Sequence, residues 1–60
     1  MNDQNEPKPF RRGERIHHYS EGSGTVYQDQ TEFFTVVYIE FDSRKGIAQS
    51  VNPRDIRRAA

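Results

Sequence analysis

The stretch Gly46-Ile47-Ala48-Gln49-Ser50-Val51-Asn52-Pro53-Arg54-Asp55-Ile56-Arg57-Arg58 decides the fold. It reads as a short strand, a one-turn helix and a last short strand. Ile47 to Val51 is the first of these strands. Asn52 suits the cap of a helical turn, because its side-chain oxygen accepts from a backbone N–H one turn in. Pro53 suits the first helical position, where its missing N–H has no partner to lose. Ile56 then returns an apolar side chain to the core. Ile47, Val51 and Ile56 are expected to hold the structure shut.

Working upstream, Phe33 to Phe41 (FFTVVYIEF) is the strongest strand signal in the chain, made almost wholly of β-branched and aromatic residues. Alternation puts Val37, Ile39 and Phe41 on one face, and Phe34, Val36, Tyr38 and Glu40 on the other. Placing Glu40 in water makes the first face the core. Gly13 to Tyr19 alternates in the same way, with Ile16 and His18 inward and Arg15, His17 and Tyr19 outward. Ser20 to Gly24 reads as a turn, because its two glycines accept positive φ at little cost. Thr25 to Gln28 starts the next strand, Asp29 to Glu32 is a polar hairpin connection, and Asp42 to Gly46 is a further turn. Phe10 is the first residue placed to pack. Met1 to Pro9 is polar and holds two prolines, which predicts a disordered tail.

Short strands separated by turns, with no amphipathic helix, predict a small all-β protein. We expect one domain over residues 10–60, a five-stranded SH3-like barrel. Sixty residues hold only a small core, so stability is expected to be marginal. There is no cysteine to supply a disulfide or thiolate ligand, which fits a reducing, cytoplasmic setting. No apolar run approaches the roughly 18 residues of a spanning helix, so no membrane partner is expected.

Catalytic and metal chemistry find little support. His17 and His18 are adjacent in a strand and point to opposite faces, so they do not chelate one ion. Gly22-Ser23-Gly24 precedes a strand rather than a helix N-terminus and does not make a phosphate loop. Ser20, Ser23, Ser43 and Ser50 lie in turns or on a short strand, and a domain this small has no deep cleft for a nucleophile–base–acid set. No catalysis and no cofactor are expected.

Two surfaces remain. The chain carries nine basic and nine acidic residues, but not evenly. Arg11, Arg12 and Arg15 stand near the start of the folded part, and Arg54, Arg57 and Arg58 near its end, around an acidic middle. If the first and last strands run side by side, these arginines meet on one surface against Glu14 and Asp55. Guanidinium groups there suit phosphates or an acidic protein face. The bland reading is a pair of solvated termini. The second surface is aromatic. Tyr27, Phe34 and Tyr38 fall on outward faces, with Tyr27 and Phe34 nearly opposite across a hairpin. Such a patch stacks bases, clasps a peptide or forms a homodimer interface. Partner identity and the choice between monomer and homodimer stay open.

The spacing of these residues resembles the Tudor-like domain at the C-terminus of bacterial DNA-repair helicases. Gly13-Glu14, Ile16, His18, Gly22, Gly24 and Val26 follow the first part of that pattern. Ile39, Phe41, Gly46, Pro53 and Ile56 follow the rest. The match covers residues 13–58, mostly turn and core positions. Glu21 departs from it, standing where the family has an aromatic residue before the first glycine. The resemblance implies a non-catalytic accessory or regulatory module that contacts nucleic acid or RNA polymerase. Short plasmid-borne dihydrofolate reductases share this size and fold. Their Val-Gln-Ile-Tyr segment is Ala48-Gln49-Ser50-Val51 here, which keeps the glutamine and lacks the tyrosine.

Overall fold

The computed structural model describes residues 8–30 and 36–59. Among them the chain is all-β, with five antiparallel strands in one sheet. The strands are β1 (Arg15–His18), β2 (Gly22–Val26), β3 (Val37–Phe41), β4 (Ala48–Val51) and β5 (Ile56–Arg58). Their order is β4-β3-β2-β1-β5, so the last strand lies beside the first, as expected. The sheet is not closed: β4 and β5 remain its two edges, and barrel closure by hydrogen bonds is not seen. One-turn 3-10 helices occupy Asp42–Arg44 and Pro53–Asp55, and no described helix is long and apolar enough to cross a membrane.

Alternation builds the core from one face of the sheet. Ile16 comes from β1, Val26 from β2, Val37, Ile39 and Phe41 from β3, and Ile56 from β5, with Phe10 packed beside them. Burying each such side chain favours folding by about 1.5–3 kcal/mol. Val51 is partly buried against this cluster. Ile47 is not, and its expected role in closing the fold is corrected: it is 55% exposed. The strand begins one residue later, at Ala48. Ile47 instead belongs to the turn that Gly46 makes at φ +88°, where its N–H donates to the Arg44 carbonyl. Glu40, expected in water, is half-buried and accepts the Gly46 N–H at 2.7 Å.

The segment expected as a turn at Ser20 to Gly24 divides. Gly22 does adopt positive φ, at +89°, and serves the turn. Gly24 has no such backbone and lies inside β2, opposite Phe41. Its glycine is required by packing instead. A β-carbon there would stand 2.7 Å from Ile39 Cγ2, 3.0 Å from the Glu40 carbonyl oxygen and 3.1 Å from Phe41 Cδ1. Strand β2 thus starts three residues earlier than its β-branched composition suggests.

The first and last described segments are tied in by hydrogen bonds. The Phe10 N–H donates to Gln30 Oε1 at 3.0 Å, and the Gln30 N–H donates back to the Phe10 carbonyl at 2.8 Å. The tail expected over residues 1–9 lies, up to residue 7, outside the described residues. The Lys8 and Pro9 carbonyls accept from the Arg58 guanidinium at 2.8 and 3.1 Å. The capped turn before β5 is as expected: Asn52 Oδ1 accepts the Arg54 N–H at 2.9 Å, and Pro53 opens the helix.

Gly24→Ala tests the packing of the central strand. Loss of glycine entropy in the unfolded chain favours the alanine variant by about 0.4–1 kcal/mol. Overpacking costs about 1–3 kcal/mol, and the atoms that must give way are buried Ile39 and Phe41 and the backbone oxygen of Glu40. Thermal unfolding followed by circular dichroism is expected to show a midpoint lowered by roughly 5 °C or more. A variant as stable as the parent contradicts this packing.

Candidate functional site

The pairing of β1 with β5 places the two ends of the charge pattern together, and strand alternation then sorts them. Ile16 faces Arg58, His17 faces Arg57 and His18 faces Ile56. Neighbouring strand residues point to opposite faces. Arg57 therefore shares the outer face with His17, while Arg58 turns toward the core side with Ile16.

Arg58 is occupied there. Its guanidinium lies over the Phe10 ring, 4.1 Å from the centroid, and its Nε donates to Glu14 Oε2. With the Lys8 and Pro9 carbonyls, these contacts make Arg58 a cover for the rim of the core. Arg15 is also engaged. Its Nη1 donates to Thr25 Oγ1 at 2.8 Å and to Asp42 Oδ1 at 2.9 Å, and its Nη2 donates to Asp42 Oδ2 at 2.7 Å. Hydrogen bonding from Arg15 holds the Asp42 carboxyl below its ordinary value, against a smaller opposing effect of desolvation. The same hydrogen bonds hold the Arg15 guanidinium above its own. Arg11 Nε is 3.8 Å from Asp29 Oδ1, a loose exposed pair.

Arg54 and Arg57 differ. They line one shallow groove with His17, Tyr19, Asp55 and Ile56. Among the described residues, no carboxylate lies within 4.0 Å of either guanidinium. The groove is built by backbone contacts between the end of β1 and the turn before β5: the Tyr19 N–H donates to the Asp55 carbonyl at 3.3 Å. Tyr19 is 75% exposed. Its ring stacks on His18, with centroids 4.7 Å apart and planes inclined by 23°. His18 in turn meets Phe41 edge-on at 5.6 Å. Its Nδ1 accepts the N–H groups of Ser20 and Glu21 at 3.1 and 3.2 Å, which fixes the ring and the turn together. Arg12 stands apart, in a second depression with Gly13, Thr25, Val26, Tyr27, Gln28 and Glu40.

Of the expected aromatic face, Tyr27 and Tyr38 are brought together. The Tyr27 N–H donates to the Tyr38 carbonyl at 2.8 Å, next to the Val26–Ile39 pairing. Tyr27 therefore lies opposite Tyr38. Both tyrosines are exposed, at 53% and 38%. Phe34 lies outside the described residues.

Sequence reasoning placed His17 and Tyr19 on the outer face but did not join them to the arginines. The signal was present: once β5 is laid beside β1, outward residues of one strand meet outward residues of the other.

Comparison with protein-family models, with curated proteins and with solved structures finds no match to this chain.

Arg58→Ala and Arg57→Ala separate the two faces. The first removes a cation–π contact, an ion pair and two hydrogen bonds, and is expected to lower stability by about 1–2 kcal/mol. The second touches none of these and is expected to stay within about 0.5 kcal/mol of the parent. Urea unfolding measures both. Equal losses contradict the division.

Proposed function

We propose that this chain is a non-catalytic binding module of SH3-like, Tudor-like architecture that engages nucleic acid through the outer face of β1 and β5. The observation that carries the reading is the groove with Arg54 and Arg57 on its wall, free of described carboxylate partners, beside His17 and the exposed Tyr19 ring. Guanidinium groups not committed to protein carboxylates are available to phosphates at no cost of breaking an ion pair. Arg11, Arg15 and Arg58 carry such commitments and contribute less. Asp55 borders the groove as well, and its negative charge limits how much phosphate the surface tolerates.

The strand order supports the architectural part of this proposal, because the last strand flanks the first. The resemblance to the helicase-associated Tudor-like domain supports the same functional direction, since it implies contact with nucleic acid or RNA polymerase. A protein that is neutral overall and carries a small groove lined by two arginines suits weak, salt-sensitive binding in transcription or DNA metabolism. A cytoplasmic location belongs to this proposal.

Fluorescence anisotropy of short labelled oligonucleotides, titrated at several salt concentrations, tests it. Two phosphate contacts give a slope of log affinity against log salt near −1.8 on duplex DNA and near −1.4 on a single strand, both approximate. The double variant Arg54→Glu/Arg57→Glu is expected to abolish binding, and Tyr27→Ser to leave it unchanged. Absence of binding at low salt overturns the proposal and directs attention to a protein partner, with Tyr27 and Tyr38 as its face.

A further inference from the structure

The groove holds more than charge, and its aromatic wall narrows the kind of nucleic acid it takes. Resting on the reading above, we propose that the site is selective for single strands. One unpaired base stacks on the free face of Tyr19, and the adjoining phosphates meet Arg54 and Arg57.

Tyr19 is placed as a platform. One ring face is covered by His18, and the residue is nonetheless 75% exposed, which leaves the other face to solvent. The support beneath it is rigid. His18 is buried, stands edge-on against the fully buried Phe41, and accepts two backbone N–H groups of the following turn. A ring held in this way loses little freedom when a base lands on it, so most of the stacking energy is kept as affinity. The Tyr19 backbone is fixed as well, through its N–H to the Asp55 carbonyl. The tyrosine and the turn that carries Arg54 are thereby held together.

Geometry sets the preference. In a duplex each base is already stacked between its neighbours, and an aromatic side chain at the surface finds no free π-face. In a single strand the bases turn out, and stacking on an aromatic ring adds to the phosphate contacts whatever the sequence. The arginines alone do not favour a single strand, because a duplex carries the denser phosphate charge. The combination of a supported ring with two uncommitted guanidinium groups does.

The test compares an oligothymidylate of about ten nucleotides, an abasic strand of the same length and a duplex of the same length, all at low salt. The parent protein is expected to bind the oligothymidylate about tenfold more tightly than the duplex or the abasic strand. Tyr19→Ala is expected to remove that tenfold advantage, so that the three probes bind alike, while Tyr19→Phe keeps it. Thermal melting confirms that Tyr19→Ala stays folded. If it does not, the abasic strand still decides, because it removes the base and leaves the protein intact. Equal affinity of the parent for all three probes, lost on Arg54→Glu/Arg57→Glu, overturns single-strand selectivity and leaves the nucleic-acid reading standing. Failure of every probe to bind overturns both.

Discussion

Gly24 sits where two side chains and a carbonyl of the neighbouring strand leave no room for a β-carbon, and the rest of the sheet is arranged around that close approach. It lies on β2, the middle strand of five. The side chains of Ile39 and Phe41 crowd the space over Gly24, and both are sealed from water. A sixty-residue chain without disulfides has little else to draw on. The contact also reaches the surface. Phe41 supports His18 edge-on, His18 supports Tyr19 face-on, and the groove is formed where Tyr19 meets the turn before β5.

The second organising fact is the lateral pairing of β1 with β5. It brings basic residues from both ends of the chain to one edge of the sheet, then divides them by the two-residue period of the strand. Arg57 and Arg58 are adjacent in sequence and opposite in role. One faces solvent beside His17. The other caps Phe10 and bonds Glu14 and the carbonyls of Lys8 and Pro9. A cluster of arginines in a sequence is therefore not yet a binding surface. Arg15, held by both oxygens of Asp42, makes the same point from the other strand.

Much of this was legible in the chain. The alternation from Val37 to Phe41 and from Arg15 to His18 gave the correct buried faces, and Asn52-Pro53 gave the capped turn. What was missed depends on distance rather than on local pattern. Glycine at position 24 looks the same in a sequence whether a turn or a packed strand requires it. Ile47 looks like a core residue until Gly46 is seen to turn the backbone. The partner of Tyr27 is set by register, which places Tyr38 opposite it. Ion pairs such as Arg15–Asp42 join residues far apart in the chain and leave no trace in composition.

The proposed working surface of the molecule is the outer face of β1 and β5. Amide chemical-shift mapping during titration with a short single-stranded oligonucleotide tests this most directly. Perturbations are expected to centre on His17, Tyr19, Arg54 and Arg57, with Tyr27 and Tyr38 unmoved. Perturbations centred on Tyr27 and Tyr38, with the groove residues silent, would contradict this.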